Sequence, residues 1–468
     1  MTKVKNVWRK YPMPVNSFEK YFMSWLPEKS ALTRPVYLSL ANHLEADILS
    51  GKLAPGTRLP PQRELADYLG INFTTVTRAY DLCRERSLIY GVTGRGSFVA
   101  SLPGTPEKRE HTIELGIVNS FDTVSRTVIG AAENVLRKGY LDQLFSYAEP
   151  AGHLHQRAAG VRWMEQLGVK TDTAHTAVFS GAQNVISAAL LSLFKLGDRI
   201  ATDEFTYSNL IGTARMAHIP LVPVPGDGGG MLPEKLDALC RKEKISGVFL
   251  MPDCANPTTI TLSEDRKDAL AEVIRRHDLV LIEDDHGGML RTTPGKPFYA
   301  RLPEQTVYIC GSTRNLCSGL RVTFAAFPEP YREKLLSGLF HLNIKTSSID
   351  AEIMTELIMS GKAEQILRGK QDLARQANRI FDRIFPDQAD DTKHGAFFRS
   401  LPLPPHCTDG IKVEELLAKN GVSVYHSNRF AVQKFTESPF LRLSVSSAGS
   451  DELLEQGLII TRDAISKL

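Results

Sequence analysis

No run of the roughly 18–20 uncharged apolar residues that spans a bilayer occurs in the sequence, so an integral membrane helix is excluded. Six cysteines (Cys83, Cys240, Cys254, Cys310, Cys317 and Cys407) are scattered and form no CxxC pair. That argues against a disulfide frame or a zinc site and fits reduced thiols in a cytoplasmic protein. The basic N-terminus, MTKVKNVWRKYPMPVNSFEKYF, lacks a continuous apolar core, and no secretory signal is expected. Gly (34) and Pro (26) are too few for a fibrous or low-complexity chain. Neither charge sign dominates, with 56 Lys and Arg against 53 Asp and Glu. What is present is 468 residues, 42% hydrophobic, enough for large cores and for two to four domains.

Charge is uneven along the chain. Residues 1–100 hold 14 Lys and Arg against 8 Asp and Glu, and the remainder holds 42 against 45. A basic first fifth suggests a polyanion-binding module. Within it, 36–49 places Leu40, Leu44 and Ile48 on one helical stripe, and Gly51 stops it. Pro61 suits the start of a second helix, PQRELADYLG, with Leu65 and Leu69 inward and Gly70 at its end. Asn72 caps a third, FTTVTRAYDLCRERS, which buries Val76, Ala79 or Tyr80, and Cys83. Residues 89–99 then read as a hairpin with a Gly-Arg-Gly tip. The spacing predicts a helix-turn-helix with a wing. The first turns of such a third helix enter the major groove, which points to Phe73, Thr74, Thr75, Thr77 and Arg78 as DNA-binding residues. Arg63 and Arg95 are placed to meet phosphate or groove edges.

On LAPGTRLPPQRELADYLGINFTTVTRAYDLCRERSLI and GRGSFV, residues 34–99 resemble the GntR-type winged helix-turn-helix domain, which binds double-stranded DNA. One departure is Phe73, where that family often carries a basic residue. Residues 1–33 precede the module as an arm, and 100–112, rich in Pro, Gly and charge, read as a linker.

Beyond the linker, short apolar runs at 176–179, 199–202, 221–224, 247–251, 279–282, 307–309 and 322–327 alternate with helical stretches. Alternation predicts an α/β sheet, mainly parallel and sandwiched by helices, with ligand chemistry at the carboxyl ends of its strands. Ser180-Gly181-Ala182-Gln183, Asn256-Pro257, Glu283-Asp284-Asp285-His286, and Gly311-Ser312-Thr313-Arg314 follow such runs, and Arg321 comes soon after. In this order they resemble the fold-type-I aminotransferases, which use pyridoxal 5′-phosphate. With the N-terminal module, the architecture resembles the MocR subfamily of transcription regulators. The resemblance implies a large domain at 113–329, a C-terminal helix and small α+β subdomain at 330–468, and a homodimer, with a domain-swapped arrangement as one form of it. It also implies cofactor-binding roles: Gly181, Ala182 and Gln183 at the phosphate, Tyr207 on the ring face, Asn256 at the ring hydroxyl, Asp284 at the ring nitrogen and Arg321 at the phosphate. Tyr147 matches a tyrosine reaching the partner's phosphate, and Arg442 in FLRLSVSS matches a clamp for the effector carboxylate.

The departures bear on function. Alignment on Gly319-Leu320-Arg321 puts Arg314 at the position of the Schiff-base lysine. Gly311 replaces a phosphate-binding serine, His286 a ring-oxygen tyrosine and Thr259 a glycine. Arginine stays protonated and is a poor nucleophile, so no covalent tether to the cofactor is expected at 314 and no catalytic residue is assigned. A guanidinium there suits a phosphate or carboxylate: the cofactor, its amine form, a preformed adduct, or another anionic metabolite. Lys345 is the remaining candidate amine. The reading is a regulator that senses a small anionic ligand; the alternatives are an active aminotransferase carrying a DNA module and a purely structural dimerisation body.

Overall fold

The computed structural model describes residues 23–100, 112–121, 125–288, 295–311, 315–433 and 438–468. They fall into two compact units, divided between residues 111 and 112.

In the first unit, α1 (Val36–Leu49), α2 (Gln62–Leu69) and α3 (Phe73–Glu85) are followed by an antiparallel hairpin, β1 (Ile89–Val92) and β2 (Gly96–Val99). Leu40, Leu44 and Ile48 face inward from α1 and meet Leu65, Leu69, Val76 and Cys83. Ala79 and Tyr80, between which periodicity does not choose, are both buried, and the Tyr80 hydroxyl is satisfied by the Pro60 carbonyl at 2.9 Å. Gly70 ends α2 at φ +63°, a conformation that costs glycine little. Residues 1–33 read from sequence as an arm that packs on the module or on a partner, and Trp25 belongs to this core. It is buried, and its Nε1 donates to Asp47 Oδ2 at 2.8 Å.

The second unit is built on a seven-stranded sheet. Its strands are β4 (Thr176–Phe179), β5 (Ile200–Asp203), β6 (Leu221–Val224), β7 (Gly247–Leu250), β8 (Val280–Asp285), β9 (Thr306–Cys310) and β10 (Thr323–Ala326), in the spatial order β4-β10-β9-β8-β7-β5-β6. All seven apolar runs are strands. Only β10 is antiparallel to its neighbours. Helices α6 (Ala182–Leu193), α7 (Ser208–Met216), α8 (Pro233–Lys242) and α9 (Glu264–Arg276) make crossovers between strands, and apolar clusters fill both faces. One strand runs further than its apolar residues suggest. β8 continues through Asp285, so Glu283, Asp284 and Asp285 are buried strand residues rather than a surface acidic turn.

A smaller subdomain pairs β11 (Phe398–Pro402), β14 (Phe440–Ser444) and β13 (Tyr425–His426) around α12 (Lys362–Ile384), α13 (Gly410–Lys419) and α14 (Asp451–Ile465). The start of the body joins it. β3 (Ile113–Glu114) runs parallel to β12 (Val422–Ser423), and Ile113 and Leu115 enter this subdomain's core. The segment read as the start of the large domain thus packs with the smaller subdomain, a pairing that a two-residue strand carries too little pattern to reveal.

Two local constraints shape the body. Gly311 lies so close to the preceding strand end that a Cβ there would stand 2.4 Å from His286 Cα and 2.6 Å from the Asp285 carbonyl. Glu352, on α11 (Ser348–Met359), ties three segments together. It accepts from Lys138 at 2.9 Å, Tyr140 at 2.7 Å, His155 at 2.6 Å and Gln156 at 3.0 Å. Burial alone raises a carboxyl pKa, but these four bonds outweigh it and bring Glu352 down from 4.5 to about 2.

A depressed folded-state pKa stabilises fully above the unfolded value and is lost as pH falls toward the folded one. Glu352→Gln should therefore cost about 2–3 kcal/mol at neutral pH, and the difference from wild type should shrink as pH falls below about 4.5 and vanish only near pH ~2, read by chemical denaturation. Gly311→Ser should destabilise by about 1–3 kcal/mol and lower the thermal midpoint, since the added atoms collide with backbone.

Candidate DNA interface and ligand site

The exposed face of the winged helix starts at Asn72, whose Oδ1 accepts from the Thr74 amide and the Thr74 hydroxyl, both at 2.9 Å. This cap fixes the first turn of α3 and holds the Thr74 side chain in place. Phe73 is exposed, and the Arg63 guanidinium from α2 sits 5.7 Å from its ring centroid. Arg78 stacks closer, 4.2 Å over Tyr37 of α1. Arg95 is exposed at the wing tip between Gly94 and Gly96, whose φ values of +74° and +110° the turn requires. Tyr90 and Phe98 stack across the wing at 5.7 Å.

Thr77 differs from its expected place. It is half-buried, and its hydroxyl donates to Gln62 Oε1 at 2.9 Å, with the Phe73 carbonyl at 3.1 Å. It stitches α3 to α2. Thr75 is also half-buried and borders an open hollow with Arg34 and Tyr37. Two residues not singled out from sequence contribute here. Tyr37 braces Arg78, and Arg58 lies beside the wing, its Nε 3.3 Å from where a Gly96 Cβ would be. Helical spacing cannot show either contact, because each joins residues far apart in sequence.

In the body, Gly181 begins α6 at φ +88°, and a Cβ on it would stand 2.5 Å from an Arg321 terminal nitrogen. The Arg321 guanidinium thus stands at the positive end of a twelve-residue helix, where two sources of positive potential converge. Beside it, the Ser180 hydroxyl receives a bond from Asn343 at 2.7 Å and lies 3.3 Å from the Thr346 hydroxyl. Gln183, expected at the phosphate, donates instead to Thr213 at 2.6 Å.

A second cluster surrounds Arg442. The residue is buried and donates to Asn256 Oδ1 at 3.0 Å and to the Gly116 carbonyl. Its guanidinium lies 4.6 Å from the Phe430 ring centroid, 5.4 Å from Tyr425 and 5.9 Å from Phe398. Phe398 stacks in turn on His286 at 6.4 Å, and Gly311 lies under the His286 backbone. Tyr207 is half-buried, its hydroxyl accepting from Asn209 at 2.9 Å, and the preceding Thr206 amide donates to the Phe430 carbonyl at 2.9 Å. Asn256, Arg442, His286 and Gly311 are thus joined by contact, with Tyr207 tied in through Phe430. Asp284 is buried in β8. On the neighbouring positions, Glu283 is pushed up to about 8 by burial and by Asp285, against two backbone N–H bonds from Phe298 and Tyr299. Burial and Asp253 likewise raise Asp285.

Tyr147 is 85% exposed. Lys345 donates its amine to the Ser348 hydroxyl at 2.6 Å, and burial lowers its pKa. Thr259 adopts φ +59°, the left-handed conformation that a glycine at this place would favour. Arg314 lies outside the described residues.

These residues can hold a phosphorylated pyridine. Gly181 leaves room that a side chain would fill, Arg321 supplies the anion partner, and Asn256 presents a buried carboxamide. Among the described residues, no helix is long and apolar enough to cross a membrane.

The family model "Aminotransferase class I and II" matches residues 111–458, and "Bacterial regulatory proteins, gntR family" matches 36–99. The chain is 34% identical over 462 residues to the uncharacterised HTH-type transcriptional regulator YdeF of Bacillus subtilis (strain 168), covering 97% of this chain and all of that one. It is 27% identical over 296 residues to PtsJ of Salmonella typhimurium, a vitamin B6 salvage pathway transcriptional repressor, covering 62% of this chain and 66% of that one. A crystal structure of Pyrococcus horikoshii kynurenine aminotransferase superposes with a TM-score of 0.71 at 19% identity, over 77% of this chain and 92% of that one, a likeness of fold. With a GntR-type winged helix at one end and an aminotransferase class I and II body making up the rest, the chain belongs to the MocR-like HTH-type transcriptional regulators.

Proposed function

We propose that this regulator binds its operator sequence-specifically through the winged helix and reads a pyridoxal 5′-phosphate-type compound, held without a covalent bond, in the body. The observation that carries the reading is the retention of two anion grips, Arg321 at Gly181 and Arg442 at Asn256, in a chain whose alignment puts Arg314 where the reactive lysine would be. Gly181 and Arg321 would hold the phosphate, Asn256 the ring hydroxyl, Asp284 the ring nitrogen, and Tyr207 the ring face, with His286 beside the site. The backbone amides of Ala182 and Gln183, not the Gln183 side chain, would add the helix end to the phosphate grip. Arg442 would take an effector carboxylate by its planar fork. A bound pyridine ring supplies an electron sink for carbanion chemistry. Arg314 cannot exchange a proton at neutral pH, so this chain's residues bind and orient the ligand without turning it over. The B6-salvage name of PtsJ supports a vitamer of that class.

Two further features support the arrangement. Phe145 at 71% exposure, Tyr147 and Leu154 at 63% crowd one short stretch with apolar surface, which suits burial against a second copy and brings Tyr147 to the partner's phosphate. In such a homodimer two winged helices meet two half-sites, and a ligand that favours one arrangement of the body changes operator affinity. Bound to the chromosome, the protein works in the cytoplasm.

In a mobility-shift titration on DNA selected by the full-length protein from a random library, Arg63→Ala should weaken binding by about 1–3 kcal/mol, roughly five- to 150-fold. Unchanged affinity contradicts the assignment of Arg63. Phe73→Ala, which removes the ring beneath Arg63, should change the selected sequence. For the body, native mass spectrometry should show a dimer retaining a B6 vitamer, and borohydride treatment of the loaded protein should leave every lysine unmodified. A lysine adduct would restore the enzyme reading. Arg314→Lys should create such an adduct, together with a visible absorbance band.

A further inference from the structure

Two kinds of arginine occur in the winged helix. Arg84 is paired with Asp81 at 2.8 Å, and Arg86 with Glu45 at 2.5 Å. Arg34, Arg63, Arg78 and Arg95 are exposed, and among the described residues no carboxylate pairs with any of them. Arg63 and Arg78 rest on aromatic rings instead. A guanidinium without a counter-ion keeps its fork of donors for an anion from outside. Three of these four were placed at DNA by their sequence positions; Arg34 was not. It stands just before α1 on backbone held from both sides. The Thr33 amide donates to Ser39 Oγ at 3.1 Å, and Leu32 packs against the core. Pro35 restricts the residue before it, while its own carbonyl accepts from the Leu38 and Ser39 amides at 3.0 and 3.1 Å. From there Arg34 borders a hollow of about 530 Å³, lined also by Pro35, Val36, Tyr37 and Thr75. No acidic residue is in that lining. Thr75 comes from the first turn of α3, and Arg78 stacks 4.2 Å over the Tyr37 ring. The hollow thus adjoins the recognition helix, with a free guanidinium and a hydroxyl in its wall and a second guanidinium on one of its rings.

We propose that Arg34 binds a backbone phosphate of the operator at this hollow, with the Thr75 hydroxyl as a second donor. The DNA contact surface then runs past α2 and α3 onto the start of α1. The proposal rests on the reading that the winged helix binds DNA, and it gives Arg34 a role distinct from that of the groove-facing residues. A phosphate contact carries no sequence information; it fixes the register and tilt at which α3 meets the duplex. Tyr37 serves as a positioning residue, since its ring keeps Arg78 beside the same hollow. A neutralised phosphate releases condensed counterions, so the contact is read in the salt dependence of binding.

The test uses the full-length protein, the operator it selects from a random library and a duplex of unrelated sequence, each titrated over a series of potassium chloride concentrations. Arg34→Ala should weaken binding to both duplexes by the same factor, at least about fivefold, and reduce the slope of log affinity against log salt by about one for each winged helix bound. Arg34→Lys, which keeps the charge and loses the fork, should keep the wild-type slope. Both variants should select the wild-type sequence. Arg84→Ala, which opens an existing ion pair, should leave the slope unchanged. The proposal is overturned if Arg34→Ala keeps the wild-type slope, if it selects a different sequence, which would make Arg34 a reader of bases, or if Arg84→Ala lowers the slope equally, which would make the effect one of net charge. Arg63→Ala in the same titrations separates the two readings. If it and Arg34→Ala both bind as wild type, the winged helix is not the DNA contact; if Arg34→Ala alone does, only the hollow is misassigned.

Discussion

The Arg442 guanidinium is the joint of the body. It is buried on β14, bonded to a carboxamide beyond the end of a large-sheet strand and to a carbonyl near the first residues of the unit, and framed by three aromatic rings. A permanent charge in such surroundings is tolerated only because oxygen acceptors and ring faces replace the lost water. Removing any partner leaves the others exposed to that cost. The small subdomain, the segment at Gly116 and the Asn256 turn are therefore held in register by one side chain, and an anion arriving there competes directly with the Asn256 and Gly116 oxygens.

The rest of the candidate ligand site follows from sheet topology. Parallel strands deliver their carboxyl ends to one edge, which is why Gly181, Asn256 and Gly311 lie at strand ends although 130 residues separate the first from the last. Behind that edge the sheet carries Glu283 and Asp285, both shifted toward the neutral form by burial, so Asp284 is flanked along the strand by carboxyls that resist ionisation.

Much of this was legible in the sequence because the relevant signals are local. Seven apolar runs became seven strands, and three helical stripes with Gly70 and Asn72 between them became the winged helix. The order of short motifs carried the family. What escaped was set by contacts between distant residues. Which surface the N-terminal arm packs on was not legible, and the bond from the Trp25 indole to Asp47 fixes it to the winged helix. Thr77 has the spacing of an exposed residue, yet Gln62 draws its hydroxyl inward. The extension of β8 through three acidic residues runs against their ordinary exposure, and only the strands on either side, with Tyr308 and two backbone amides as partners, make it tolerable. The pairing of Ile113 with Val422 likewise depends on a partner three hundred residues away.

The bond from Thr77 to Gln62 has a consequence for how such a head changes over time. It fastens α3 to α2 from the inner side, so the angle at which the helix is presented does not depend on the residues at its outer edge. Phe73 and Thr74 are exposed and carry little of the core. If those two positions face the bases as proposed, substitutions there would alter the sequence being read while folding is left nearly untouched, and a new recognition preference would be open to this scaffold in single, tolerated steps.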